Sequence, residues 1–304
     1  MPAILYMLRI PNLLIIALTF LLLRYLVFLP VYTAFDLDAG MGELNFVLMV
    51  TATILIAAAG YLSNDYFDVE TDGVNKPEKQ YIGKKITPGS TLALSLVLSF
   101  AAVTLAVFLT FKIGSWIPAS LLLFALFVTW WYAILLKKSF LWGNIAVSCM
   151  SAGTIAMAWI IEKQCSEIPQ VLTSIITNVI AGISVFAFLL SLMREIVKDI
   201  EDMEGDKLIG CHSVPLVKGI PFTTKLLQTL AAITFLFLFI AQVQLYQYSR
   251  YVAVLWLFVF VEIPMGYFLF KLYKAQSKID FHELSSLLKW IMLGGMGSII
   301  AGQI

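Results

Sequence analysis

YLSNDYFDVETDGVNKPEK, Tyr61 to Lys79, is the stretch whose reading decides the fold. It follows FVLMVTATILIAAAG, an apolar run that, with its neighbours, is long enough to enter a bilayer. Between Asn64 and Asp72 it then gathers one amide and the carboxylates of Asp65, Asp68, Glu70 and Asp72. A second segment repeats the arrangement. Behind the apolar run at 171–193 stand Glu195, Asp199, Glu201, Asp202, Glu204 and Asp206. Carboxylates at the mouths of two apolar helices pose a question of charge, and the rest of the chain supplies its context.

That context is a membrane. The chain has 304 residues, 61% of them hydrophobic and 13% charged, which is too apolar for a soluble domain. The net charge is +1 and no Lys/Arg-rich arm is present, so no nucleic-acid partner is implied. Cys149, Cys165 and Cys211 show no metal or disulfide spacing and read as buried, inert thiols. The first apolar run lacks a clear cleavage site and reads as a retained helix.

Nine segments have the length and composition of spanning helices: 11–31, 43–63, 90–110, 115–135, 141–161, 171–193, 222–245, 250–271 and 284–303. No segment reads as a separate soluble domain, so 1–304 is expected to be a single intramembrane domain. Segments 64–89 and 194–220 are expected to cap it. Sorting the connections by side leaves Arg24, Lys112, Lys163 and Arg250 on one face and the other sixteen of the twenty Lys and Arg on the opposite face. The basic face is cytoplasmic by the positive-inside rule, and both acidic segments fall on it. The expected location is a multi-pass protein of the cell membrane with its active site on the cytoplasmic face.

If the second helix continues past Gly60, then Asn64, Asp68 and Asp72 share one face, and Asp199, Asp202 and Asp206 do the same beyond the sixth helix. Carboxylates crowded this way repel unless a cation lies among them. Oxygen-only ligands suit hard ions, Mg²⁺ above all, which bridges a few carboxylates to substrate phosphates. Lys76, Lys79, Arg194 and Lys198 flank the acids and could grip phosphate oxygens. A solvated acidic loop is the plainer reading of one such segment. Two, at like helix ends on one membrane face, argue for a site.

At these residues the sequence resembles the UbiA superfamily of intramembrane prenyltransferases. NDYFDVETDGVNKP is similar to the family's first motif, and KDIEDMEGD to its second, with Asp202 and Asp206 preceded by Asp199. YAILLKKSFLWGN places Tyr132, Lys137 and Asn144 where family members carry a Tyr–Lys signature. LRIPN, with Arg9 and Asn12, resembles the opening motif. Within the superfamily the motifs look most like the digeranylgeranylglyceryl phosphate synthase branch. One departure is Lys79–Gln80, where the family often continues Arg–Pro; a lysine is a point charge, not a bidentate fork.

The resemblance implies an all-α fold of nine helices around a cavity open to lipid. It implies transfer of a prenyl group, geranylgeranyl in the branch named, from an allylic diphosphate to the hydroxyl of a prenylglycerol phosphate embedded in the bilayer. Asp68, Asp72, Asp202, Asp206 and Tyr132 would carry the chemistry. Two Mg²⁺ ions are implied, one on Asn64, Asp68 and Asp72 with Asp65 beside them, the other on Asp199, Asp202 and Asp206. Arg9, Asn12, Lys76, Lys79, Lys137, Arg194 and Lys198 would bind substrate, and Lys84, Lys85, Lys137 and Lys138 are candidates for the acceptor phosphate. Phe67, Trp131, Tyr132 and Phe186 could face a carbocation; ordinary packing or an interfacial belt is the plainer reading of each, and Tyr132 stands out because it sits in a family motif. An aromatic acceptor of quinone synthesis is the nearest alternative. An ion-coupled transporter is a distant one, because it expects acids at mid-membrane and only Glu262 lies deep. Glu262 should have a structural partner, Pro264 should kink its helix, and Gly294, Gly295 and Gly297 should mark close helix packing.

Overall fold

The computed structural model describes residues 3–37, 40–75, 77, 80–165, 167–208 and 210–303. Lys76 and Lys79 lie outside the described residues. Among those described, nine helices are long and apolar enough to cross a membrane. In chain order, spans 1 to 9 are Ile10–Ala34, Glu43–Phe67, Pro88–Ile113, Ile117–Ile134, Trp142–Glu162, Gln170–Glu201, Val214–Gln247, Tyr251–Lys274 and Lys278–Ala301. They coincide with the nine segments read from the sequence. The differences lie at the ends: span 2 runs on to Phe67 and span 6 to Glu201. Hydropathy stops counting where polar residues begin, whereas the backbone ladder needs only continued helical geometry.

Two spans are adjusted by proline. In span 1 the stretch Arg24–Phe28 is π-helical, with the Leu29 N–H reaching back to the Arg24 carbonyl. In span 8 the stretch Phe258–Glu262 does the same, with the Ile263 N–H on the Phe258 carbonyl. Pro30 and Pro264 follow directly. Proline brings no N–H to the ladder, and the preceding turn widens by one residue to accommodate it. Glu262 closes the second π turn half-buried. The structural partner expected for it, a Lys, an Arg or a backbone donor, is absent among the described residues, and the side chain stays partly exposed.

The chain divides into two compact units: Met1–Lys137 with Thr154–Thr177, and Lys138–Gly153 with Asn178–Ile304. In the first unit spans 2, 3 and 4 pack on one another and span 1 packs on span 2. The seam is lined by small residues, with Ala52, Ala59, Ala102 and Ala106 buried. Its polar groups bond across it: Ser95 Oγ donates to the Ala59 carbonyl at 2.8 Å and Trp130 Nε1 to Ser99 Oγ at 3.2 Å. Close backbones and internally satisfied polar groups are how helices associate where lipid removes the hydrophobic drive. Phe100, Phe111 and Phe124 point outward, as a bilayer permits.

This unit also explains Arg24, which breaks the charge pattern. Its guanidinium is buried against Glu43 at 2.9 Å and Glu162 at 3.9 Å, over the Phe46 ring at 4.6 Å. Glu162, also buried, accepts the Met41 N–H at 3.0 Å. The charge is therefore neutralised inside the fold and says nothing about orientation. Beside it, burial pushes the Cys165 thiol up to about 11, Glu162 adding and Arg24 opposing. Of the three cysteines expected to be buried, only Cys211 is. Cys165 is partly buried, and Cys149 is exposed on an apolar helix.

In the second unit spans 7, 8 and 9 pack together. The 178–201 part of span 6 joins their core through Leu190, Met193, Ile196 and Val197, in one cluster with Phe268, Leu284, Leu288 and Ile291. The glycines of span 9 do what the sequence suggested. A Cβ on Gly294 would lie 2.5 Å from the Phe260 carbonyl oxygen, one on Gly295 2.2 Å from Phe186 Cε1, and one on Gly297 2.6 Å from the Trp256 ring. Trp256 Nε1 uses the closeness to donate to the Gly294 carbonyl at 2.9 Å. Span 9 starts at a capping box between Ser277 and Asp280. Span 7 is broken near its start by Gly219, whose φ of 80° ends one turn before Pro221 begins the next.

Candidate active site

The first acidic segment is built on the end of span 2. The helix is interrupted at Asp68 (φ −97°, ψ 6°), and a short helix, Val69–Asn75, continues it. The interruption is slight, because the Asp68 N–H still bonds the Asn64 carbonyl at 3.0 Å and the Asp72 N–H the Asp68 carbonyl at 2.8 Å. The second segment repeats this geometry at the end of span 6. The helix is interrupted at Asp202, with Asp202 N–H on the Lys198 carbonyl at 2.8 Å, Asp206 N–H on the Asp202 carbonyl at 3.1 Å, and a short helix Met203–Leu208. The four-residue stripes survive both breaks. Much of the two segments expected to cap the protein is thus helix.

Each segment is held by partners from elsewhere in its own unit. Asp68, 4% exposed, takes an ion pair from Lys137 and accepts from Asn64 Nδ2 at 2.6 Å. Asp65 pairs with Arg9 at 2.7 Å, and the Arg9 guanidinium lies over the Tyr61 ring at 4.8 Å. Burial opposes the Arg9 charge, but Asp65, Tyr61, Asp72 and Asp68 outweigh it and hold its pKa above the ordinary value. Arg9 is placed by a left-handed turn, φ 51°, and its carbonyl accepts the Asn12 N–H at 2.7 Å. In the second unit Asn144 Nδ2 donates to Asp199 at 2.8 Å, and Asp206 is buried, its carbonyl accepting the Cys211 N–H at 3.0 Å. Arg194 and Lys198 both donate to Glu195 Oε1, at 3.0 and 2.9 Å.

The structure thus brings Arg9, Asn64, Asp65, Asp68 and Lys137 into one constellation and Asn144 with Asp199 into another. Among the aromatic candidates, Tyr132 is half-buried, Phe67 and Trp131 are exposed, and Phe186 fills the space over Gly295. Sequence reasoning missed three residues. Glu195 is a shared acceptor for two cations. Glu201 is tied to His282 Nδ1 at 2.9 Å. Lys289 lies within electrostatic reach of Arg194. The signal was there in the heptad spacing of 194 to 201 and of 282 to 289.

Among the described residues no three His, Cys, Asp or Glu side chains close around one point as a metal cage would. The donors nevertheless suit a hard cation. They are carboxylates and an amide, and Asn64 Oδ1 is buried with no donor facing it while its Nδ2 is committed to Asp68. Lys137 supplies the positive charge beside Asp68.

Two of the membrane-spanning helices end in acid-rich turns with cations beside them, an arrangement that suits an intramembrane enzyme handling phosphorylated lipids. The chain belongs to the UbiA prenyltransferase family, whose model matches residues 13–290. It is a prenyltransferase. It is 28% identical to digeranylgeranylglyceryl phosphate synthase of Methanosphaera stadtmanae over 260 residues, 85% of this chain and 88% of that one. It is 35% identical to the enzyme of the same name from Ignicoccus hospitalis over 196 residues, 64% of this chain and 61% of that one. The fold is similar to that of a solved digeranylgeranylglyceryl phosphate synthase (TM-score 0.63, 20% identity, 99% of this chain and 98% of that one). It is also similar to a UbiA homologue from Archaeoglobus fulgidus bound to GPP and Mg²⁺ (TM-score 0.60, 15% identity, 98% of this chain and 99% of that one).

Proposed function

We propose that this protein transfers a geranylgeranyl group from its allylic diphosphate to the free hydroxyl of a prenylglycerol phosphate, forming an ether lipid in the cell membrane with the chemistry on the cytoplasmic face. The observation that carries the reading is the pair of acid-rich helix ends, broken alike at Asp68 and Asp202, in a chain aligned over 85% of its length with a digeranylgeranylglyceryl phosphate synthase. The bond broken is the allylic C–O bond to diphosphate. The bond formed is the ether C–O bond; the diphosphate departs with the electron pair of the broken bond, and the hydroxyl proton passes to the released diphosphate or to water.

Asn64, Asp68 and Asp72 hold one Mg²⁺ ion in this reading, and Asp199, Asp202 and Asp206 another. Bound Mg²⁺ supplies neutralisation of the charge that collects on the departing diphosphate. Asn64 orients the Asp68 carboxylate, and Asn144 does the same for Asp199. Arg9 fixes Asp65 and, with Asn12, Lys76, Lys79 and Lys137, offers cations and donors to phosphate oxygens. Tyr132 shields the allylic cation, and the apolar spans give the prenyl tails a place in the bilayer.

The test is incubation of the detergent-purified protein with Mg²⁺ and geranylgeranyl diphosphate, with geranylgeranylglyceryl phosphate in one sample and aromatic quinone precursors in the other, and products read by mass spectrometry. A doubly prenylated glycerol phosphate is the expected product. A prenylated aromatic alone overturns the acceptor assignment.

A further inference from the structure

The first acidic segment runs from span 2 into the short helix Val69–Asn75, which carries Asp72 and is 7 residues long. A helix that short is not stable by itself, and this one joins span 2 at the break of Asp68. Its heading, and with it the direction of Asp72, depends also on what grips it from outside. Gln80 is such a grip. Its Nε2 donates to the Val69 carbonyl at 3.1 Å. The same amide lies on Gly73, where a Cβ would come within 3.3 Å of Nε2 and 3.7 Å of Cδ. Val69 and Gly73 are one helical turn apart and share a face, whereas Asp72, one residue before Gly73, stands about 100° away. Gln80 thus holds the flank of the helix and leaves the carboxylate face open.

The other end of the grip is anchored. Tyr81 stacks on Tyr6 with ring centroids 5.7 Å apart. Ile82 is buried with Met7 and with Leu62 of span 2, and Val69, Tyr81 and Ile86 pack on that cluster. A tight turn follows, in which Gly83, at φ 83°, donates its N–H to the Ile86 carbonyl at 2.8 Å. Gln80 therefore reaches the helix from a plug packed on span 2 and on the N-terminal residues. Arg9, which pairs with Asp65, follows two residues after Met7 in the chain. One set of contacts thus orients both Arg9 and the helix of Asp72. The sequence departs here from the Arg–Pro that often follows in similar chains. A proline in place of Gln80 has no side-chain donor for the Val69 carbonyl, whereas glutamine carries two amide N–H groups on a flexible stem.

We propose that Gln80 is a positioning residue for the first metal segment, whose amide fastens the Val69–Asn75 helix to the 81–86 turn and so keeps Asp72 aligned with Asp68. The inference rests on the assignment of Asp68 and Asp72 to a Mg²⁺ ion made above.

The test follows thermal melting of the detergent-solubilised protein against Mg²⁺ concentration, without substrates. Gln80→Met keeps the length of the side chain and removes the donor. A neutral hydrogen bond is worth a factor of about five in an equilibrium. Gln80→Met should therefore need about fivefold more Mg²⁺ for half of its maximal rise in Tm, and Gln80→Pro at least as much. The Tm without Mg²⁺ should fall by only about 2–4 °C. A lower Tm with an unchanged Mg²⁺ midpoint would make Gln80 a stabilising contact alone and overturn the inference. Gly73→Ala is a second probe, because the three atoms nearest to the added methyl all belong to Gln80. It should raise the Mg²⁺ midpoint with Gln80 in place and leave it unchanged in Gln80→Ala, and equal effects in both backgrounds would also overturn the inference. No Mg²⁺ response in wild type overturns the metal assignment and this inference with it. In turnover, the Mg²⁺ dependence of the rate should shift by the same factor, while kcat at saturating Mg²⁺ and the KM for the acceptor stay within twofold. A loss of kcat that Mg²⁺ does not restore overturns a role in positioning the metal. The melting readout needs no acceptor, so failure of the proposed prenyl transfer is told apart from failure of the role of Gln80.

Discussion

Replacing Asp68 by Asn should separate catalysis from folding. The substitution keeps the side chain's volume and one acceptor oxygen and removes its charge. In the folded protein that charge faces Lys137 and Asn64 at the end of span 2. A hydrogen bond to a charged partner is worth about 1.5–3 kcal/mol when the partner is stranded. Lys137 is not stranded, because 23% of its side chain reaches solvent and it can turn outward. The loss should therefore be nearer 1 kcal/mol, as for part-exposed pairs. In a chain of this length that lowers the Tm by about 2–4 °C. Turnover should respond on another scale. Removing one preorganised group that stabilises developing charge costs about 10²–10³-fold in kcat, and a lost Mg²⁺ ligand belongs at the upper end. The assay pairs initial rates by mass spectrometry with melting curves taken with and without Mg²⁺. Wild type should be stabilised by Mg²⁺ through preferential binding to the folded state, and Asp68→Asn should lose most of that stabilisation. Asp202→Asn, at the matching break of span 6, should behave the same way. Either variant retaining more than a tenth of wild-type activity at saturating Mg²⁺ would refute the assignment of these breaks to the metal.

Asn144→Ala should leave Asp199 without its orienting donor and raise the Mg²⁺ concentration needed for half-maximal rate several-fold, with little change in Tm; an unchanged Mg²⁺ curve counts against a positioning role. Glu162→Gln keeps an acceptor for the Met41 N–H but leaves buried Arg24 with Glu43 alone, so unfolding in detergent should cost about 2 kcal/mol less, below the 3–5 kcal/mol of a fully stranded charge. Gly294→Ala gains about 1 kcal/mol of helix propensity but drives a Cβ to 2.5 Å from the Phe260 carbonyl, and overpacking of about 1–3 kcal/mol should leave it less stable than wild type. Gly153→Ala, where a Cβ meets nothing within 4 Å, should be neutral or stabilising in the same melting assay, and a matching loss would show that glycine's flexibility rather than close approach is at work.

The sequence by itself determined the membrane, the nine spans and the two acidic segments. These are one-dimensional properties: an apolar run of sufficient length has one stable solution in a bilayer, and a four-residue spacing shares a face wherever helix persists. It also pointed to the glycines of span 9, because small residues in an apolar helix have few other uses. Partnership was different. That Asp68 is met by Lys137, Asp65 by Arg9, Asp199 by Asn144 and Glu201 by His282 depends on which helices lie side by side and in what register. Arg24 read as an exception to the charge pattern until the fold placed Glu43 and Glu162 against it. The cysteines were misjudged for a related reason, since an apolar neighbourhood in sequence does not distinguish a core from a lipid-facing surface, and Cys149 faces outward. Lys289 read as one more cytoplasmic cation. Only the packing of span 9 on span 6, seen in Phe186 on Gly295 and Glu201 on His282, brings it within electrostatic reach of Arg194. Hydropathy and spacing constrain single helices, but charges separated by nearly a hundred residues meet only when packing decides which helix faces which.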